Sequence, residues 1–254
     1  MKTATFSMIL LQLMLIFYTS FSQDNIGAGR YFKSYLTDTK SLITAPMSWK
    51  NSDIEKAVIF TGSTLFLMVN DERLNSFITG NSRESVSDFM QVGFEPFGNG
   101  VYTLPLLGGL YLGGMLFDNP YDKRMALTGV KSFVFAAGGA TLIKAAFGRN
   151  RPDDNHAVDA FAFDGPFKGL NDDGSFVSRH SMVAFAVAAT LSEGYNKDKK
   201  WLPWVAYSVA SLVAVSRSYS NEHWVSDAFA GACLGYVTGK MVFKLNRKYL
   251  SGKP

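Results

Sequence analysis

The chain of 254 residues has a single cysteine, Cys233, set inside an apolar run. An intrachain disulfide is therefore excluded, and thiol usage says nothing about the redox compartment. Histidine is nearly as scarce: His156, His180 and His223 are all there are, and they offer no metal-binding cluster. Charge is thin as well, at 18% of residues with a formal net charge of +4, and removing Lys2, the only charge ahead of Asp24, lowers that balance by one. So weak a bias argues against a nucleic-acid partner and is compatible with anionic substrates without arguing for them. No internal repeat or low-complexity segment is present.

What the chain does hold is apolar, with 47% hydrophobic residues, 14% aromatic residues and 23 glycines. Its length suits one domain with a substantial core. Lys2, the apolar run Met8 to Tyr18 and small residues at Ser20 and Ser22 read as a secretory signal peptide, 1–22. The alternative is an uncleaved membrane anchor, for which the run is short. Residues 23–54 form a polar lead-in, extended or partly helical, and 55–254 form the main domain. Apolar runs predict helices over 54–70, 101–117, 125–147, 182–191, 201–216 and 228–242, with a short amphipathic helix over 84–92. The glycines of 101–117 are expected to mark close helix packing. Asp118 to Arg124 reads as a turn with helix-start chemistry. The fold class is all-α, a helical bundle.

Three polar stretches stand at the ends of these runs. Ser216 to Asp227 carries Arg217, His223 and Asp227 just before an apolar, small-residue run. Four residues apart, His223 and Asp227 share a helix face if the helix has begun by Glu222, so the carboxylate could hold one ring nitrogen and free the other as nucleophile or base. Arg217 suits an oxyanion, because its planar fork donates two hydrogen bonds together. A capped helix with a mutually satisfied His–Asp pair would look the same. Lys144, Arg149, Arg151 and Pro152 come together at the end of the 125–147 run, with Gly148 and Pro152 ending the helix. Cations there also suit a helix C-terminus. Ser178 and His180 open the run from Met182, at a corner where unpaired backbone N–H groups favour an anion. A plain cap with a first-turn filler is the alternative.

In combination, Lys144 with Arg151 and Pro152, Ser178 with His180, and Ser216-Arg217 with His223 and Asp227 resemble the three-part signature of the type 2 phosphatidic acid phosphatase (PAP2) superfamily. That superfamily also holds class A acid phosphatases and vanadium haloperoxidases, and the resemblance covers residues 97–245. It implies a helical bundle with its catalytic site at one end, and phosphoryl transfer without a metal or other cofactor. His223 would attack phosphorus, Asp227 would orient it, and His180 would protonate the leaving oxygen and then activate water. Lys144, Arg151, Ser178, the Arg179 backbone and Arg217 would hold the phosphoryl oxygens. Arg179 departs from the family, which has glycine there. It either adds a phosphate contact or distorts the corner, and the corner tolerates it only at negative φ.

The resemblance implies a phosphorylated lipid as substrate. The rivals are a soluble periplasmic acid phosphatase on small phosphomonoesters, a haloperoxidase, and a non-catalytic member. Helix directions put all three motifs at one end and the clusters Lys123-Arg124, Lys197 to Lys200 and Lys244 to Lys248 at the other. In a membrane the positive-inside tendency then places the site outside the cytoplasm. Counting spans from an exported N-terminus at 55–70, 101–117 and 125–147 puts Lys144 on the wrong side. Interrupting charges at Lys131 and Lys240 and a mean hydropathy of +0.05 also sit awkwardly with a full set of spans.

Overall fold

The computed structural model describes residues 28–81, 83–152, 159–167 and 174–252. The expected signal peptide and His156 lie outside them. The chain divides into two compact units, 1–47 and 48–254. The described part of the first is a helix, α1 (Ala28–Thr44), and all but the last residue of a short 3-10 turn, Ala45–Ser48. The polar lead-in is thus helical over much of its length. The second unit holds α2 (Asn51–Asn81), α3 (Glu84–Asn99), α4 (Thr103–Leu116), α5 (Pro120–Phe147), α6 (Arg179–Tyr195), α7 (Leu202–Tyr219), α8 (Val225–Leu245) and a last turn, α9 (Arg247–Leu250). Among the described residues the only β-pairing is a single bridge, Arg149 to Phe163. The protein is all-α.

Helix limits follow local chemistry. The segment read as a turn, Asp118 to Arg124, is mostly the first turn of α5. Asn119 caps it by accepting from the N–H groups of Tyr121 at 3.0 Å and Asp122 at 3.3 Å, and Pro120 takes the first position. Gly148 closes α5 at φ 57° with its N–H on the Lys144 carbonyl. A Cβ there would collide with the Gly165 carbonyl, so both φ and space require glycine. α2 outruns the predicted 54–70. Only Thr64, Met68, Asp71 and Asn75 of it are buried, a single stripe of spacing four, three and four.

The bundle alternates from α4 onward. Leu107 of α4 packs on Gly129 of α5. Tyr121, Ser132 and Gly139 of α5 meet Gly194, Thr190 and Met182 of α6, an antiparallel order. α6 and α8 instead run parallel: Gly231, Gly235 and Gly239 lie against the backbone carbonyls of Ser178, Met182 and Ala186, one turn apart on each helix. The glycine expectation therefore belongs mainly to α8. In α4 only Gly114 meets a neighbouring segment, the backbone of Asn119 and Lys123, whereas Gly108, Gly109 and Gly113 face open space. Lys131 is fully buried and donates to Asn246 Oδ1 at 2.8 Å, and Lys240 pairs at the surface with Glu193. Neither charge therefore faces outward unpaired.

Contacts made by α2 and α3 fix the end of the bundle at which Lys144 lies. Asp71 of α2 bonds Arg149 and Ser226, and Glu95 of α3 meets Arg217, so residues 71–95 begin and end beside the motifs. α4 then leaves that end and α5 returns to it, carrying Lys144. Lys144 thus shares an end with Asp71 whatever α2 does before it.

Candidate active site

Four helix ends build the site. α5 supplies Lys144 in its last turn, α6 starts at Arg179 with Ser178 as N-cap, α7 ends with Arg217 in its last turn, and the short loop into α8 carries His223. Ser178 Oγ, fully buried, accepts from the N–H of Ser181 at 3.4 Å and its hydroxyl at 3.0 Å. Its own hydroxyl proton remains to be donated elsewhere. Arg179 is the first helical residue, partly buried and absent from the positive-φ positions. The corner therefore accepts a side chain, and the family's glycine is not required by φ.

His223 is 2% exposed and sits among the cations. Burial first, then the charges of Lys144, Arg217, Arg151 and His180, hold its pKa well below the ordinary histidine value. Arg217 is 3% exposed, and its Nε is buried without a hydrogen-bond acceptor among the described residues. A phosphoryl oxygen would meet that demand.

Two carboxylates that carry no motif signal stand in this cradle. Glu222 Oε2 pairs with Arg151 Nη1 and lies 3.1 Å from Arg217 Nη2, bridging the two guanidinium groups. Glu95, on α3, places Oε2 2.5 Å from Arg217 Nη1 and Oε1 3.7 Å from His180 Nε2. Glu222 adjoins His223 and was within reach of the sequence pattern. Glu95 lies before the expected family region, on a helix predicted to end at residue 92.

Asp227 behaves differently from the expectation. Its Oδ2 is 3.9 Å from His223 Nδ1, beyond hydrogen-bonding distance. Its oxygens go instead to Arg149 Nη1 at 2.6 Å, the Trp224 N–H at 3.1 Å and the hydroxyl of Ser175. Arg149, fully buried, also donates to Asp71 Oδ2 at 2.8 Å, Ser226 Oγ at 2.8 Å and the Ala160 carbonyl at 2.7 Å from Nη2. Of the two arginines in the α5 exit, one therefore faces the cradle and the other is locked beneath it. Asp71 and Ser175 complete that lower layer. Asp71 sits in a mixed stretch with nothing in the sequence to single it out.

A model of the PAP2 superfamily matches residues 126–250. The lipid A 1-phosphatase of Porphyromonas gingivalis is 26% identical over 172 residues, which is 65% of this chain and 35% of that protein. The lipid A 4'-phosphatase of the same organism is 30% identical over 70 residues, 28% of this chain and 29% of that protein. The chain thus spans only about a third of the length of these relatives. Among solved structures, a transmembrane PAP2 type phosphatidylglycerolphosphate phosphatase from Bacillus subtilis aligns over 75% of this chain and 96% of its own, with 23% identity and a TM-score of 0.57. At that identity the likeness speaks for the fold.

Proposed function

Since the chain belongs to the PAP2 superfamily, we propose that it is a phosphatase that removes phosphate from a lipid monoester or diphosphate through a phosphohistidine on His223. The observation that carries this reading is the meeting of Arg151, Arg217 and His180, linked through Glu222 and Glu95, beside the buried His223, with Lys144 in the last turn of α5 near enough for its charge to act on the ring. With Nδ1 turned toward Ser175 and Asp227, Nε2 is the nitrogen left to attack phosphorus. The lysine and the two guanidinium groups hold the non-bridging oxygens and the charge that grows on them, work otherwise given to a metal ion. His180 gives its proton to the leaving oxygen and then takes one from the incoming water.

A lipid substrate accords with the outer surface. Phe66 and Val69 of α2, Leu116 and Phe117 at the end of α4, Leu142 of α5 and Trp204 of α7 are all largely exposed. So much outward apolar area suits contact with a bilayer or detergent. Among the described residues one helix, Pro120–Phe147, is long and apolar enough to cross a membrane. The relatives named for lipid A dephosphorylation point to the same substrate class. Lys197, Lys199, Lys200, Lys244 and Lys248 lie at the end away from the site, which favours an extracytoplasmic catalytic face. The test is phosphate release from lipid phosphates in mixed micelles beside soluble phosphate esters. Release confined to the soluble esters would overturn the lipid reading.

Three further outcomes follow from the geometry. Because burial and four neighbouring cationic groups disfavour the imidazolium, neutral His223 persists as pH falls. The acid limb that His223 imposes on kcat/KM should lie below about 6.5, the ordinary histidine value, once the substrate's own ionisation is corrected for. A Cβ on Gly98 would lie 2.6 Å from His180 Cβ and 2.8 Å from its Cα, and backbone cannot yield cheaply. Gly98→Ala should therefore shift His180 and lower kcat by about 100-fold, the cost of a displacement of about 1 Å, while circular dichroism shows the helices retained. Glu222 competes with phosphate for Arg151 and Arg217. Glu222→Gln keeps the shape and removes the charge, so inhibition by orthovanadate should tighten several-fold; weaker inhibition would show that the carboxylate serves to position the arginines.

A further inference from the structure

We propose that Ser175 is the positioning residue for His223, passing the influence of Asp227 to the ring through its hydroxyl. The inference rests on the reading of His223 as nucleophile and replaces the direct His–Asp contact expected from the spacing. Ser175 Oγ lies 3.4 Å from His223 Nδ1 and donates to Asp227 Oδ2, whereas the carboxylate itself stands 3.9 Å from Nδ1.

The hydroxyl has little freedom to do otherwise. Ser175 is fully buried, and its backbone N–H is tied to the Arg149 carbonyl at 2.7 Å. Asp227 is held in turn by Arg149 and by the Trp224 N–H at its own helix start. Since the short bond to Asp227 consumes the hydroxyl proton, Ser175 can only accept from His223. An acceptor at Nδ1 fixes the Nδ1–H tautomer and leaves the lone pair on Nε2. In the reaction Nε2 bonds to phosphorus as the bond from phosphorus to the leaving oxygen breaks. The departing oxygen takes its proton from His180. Nδ1–H stays on the ring throughout, and the positive charge that develops there is met by the Ser175 dipole backed by the Asp227 carboxylate.

Two measurements on the full chain in detergent micelles test this. The first is kinetic, on Ser175→Ala and on Ser175→Cys, which keeps the shape but is a weak donor and acceptor. Both should lower kcat by at least about 10- to 100-fold with KM nearly unchanged, by analogy with the cost of removing the hydrogen-bond partner that orients a metal-ligating histidine. Asp227→Asn should cost far less in the Ser175→Ala background than alone, because the carboxylate acts through the hydroxyl. Additive losses, or a folded Ser175 variant with wild-type kcat, would overturn the proposal. The second is independent of turnover: nitrogen-15 spectra of labelled histidine, with His223 assigned by its loss in His223→Ala. Wild type should show protonated Nδ1 and bare Nε2, and Ser175→Ala or Ser175→Cys should shift His223 toward the other tautomer. An unchanged spectrum in both variants would sink the relay. An inactive wild-type chain would instead remove the phosphatase reading, with the spectra still deciding the role of Ser175.

Discussion

His223→Ala is expected to lower kcat by about 10⁴-fold or more, on the scale seen when a covalent nucleophile is removed from a preorganised site. The structure makes this a clean experiment. The backbone N–H of His223 donates to the Arg217 carbonyl at 3.2 Å, a bond that alanine keeps. Among the described residues the ring makes no ion pair at hydrogen-bonding distance to a carboxylate, since Asp227 is held by Arg149, Ser175 and Trp224. Folding should therefore survive, and thermal melting of the variant should stay close to wild type. The cations Lys144, Arg151 and Arg217 also remain, so the variant should still bind orthovanadate or inorganic phosphate, though without the bond to Nε2. Lipid-phosphate release by His223→Ala within tenfold of wild type would end the phosphohistidine mechanism. Loss of turnover together with loss of phosphate binding would mean that the variant had disturbed the cradle.

The reasons why the sequence was readable in some places and mute in others are physical. Lys144, Arg151, Ser178, His180, Arg217 and His223 stand at helix termini, where a polar residue beside an apolar run is conspicuous. Terminal positions also fix direction, so the meeting of α5, α6, α7 and α8 at one end could be reasoned from helix order alone. Glu95 and Asp71 are single acids within helices, and only tertiary contact makes them partners of Arg217 and Arg149. The resemblance picks out Arg151 for phosphate, but spacing alone does not separate it from Arg149, because a two-residue offset after a helix end says nothing about which side chain turns inward. The spacing of four between His223 and Asp227 suggested a shared face, but α8 begins only at Val225. His223 therefore lies outside the helix, and the pair sits too far apart for a direct bond, leaving room for Ser175. The glycines gave a similarly partial signal. Their number implied close packing, but whether Gly108 or Gly235 meets a neighbour depends on which face of each helix is buried.

Arg149→Met should destabilise the protein by about 3 to 5 kcal/mol, the cost of leaving buried carboxylates without their counter-charge. Arg149 is unusual in that none of it is exposed, yet it binds two carboxylates, Asp71 from α2 and Asp227 from α8, along with the Ala160 carbonyl. Methionine fills much of the volume and also removes the stacking of the guanidinium over Trp224, whose ring centre is 5.4 Å away. For a chain of this size the loss corresponds to a fall in Tm of about 6 to 20 °C. The damage should be electrostatic rather than volumetric, and a double-mutant cycle separates the two. Adding Asp71→Asn to Arg149→Met removes one of the stranded charges while leaving an amide that can still accept from the Ser226 N–H, now 3.0 Å from Asp71 Oδ1. The double variant should therefore be more stable than the sum of the single losses allows. Strict additivity, or an Arg149→Met variant that melts with wild type, would show that the carboxylates do not depend on the guanidinium. The prediction also separates the two layers of the site. Arg151, facing the cradle with Glu222, should be dispensable for folding and needed for phosphate binding, whereas Arg149 should be needed for folding first, because it ties α2, the loop after α5 and the start of α8 beneath the reacting histidine.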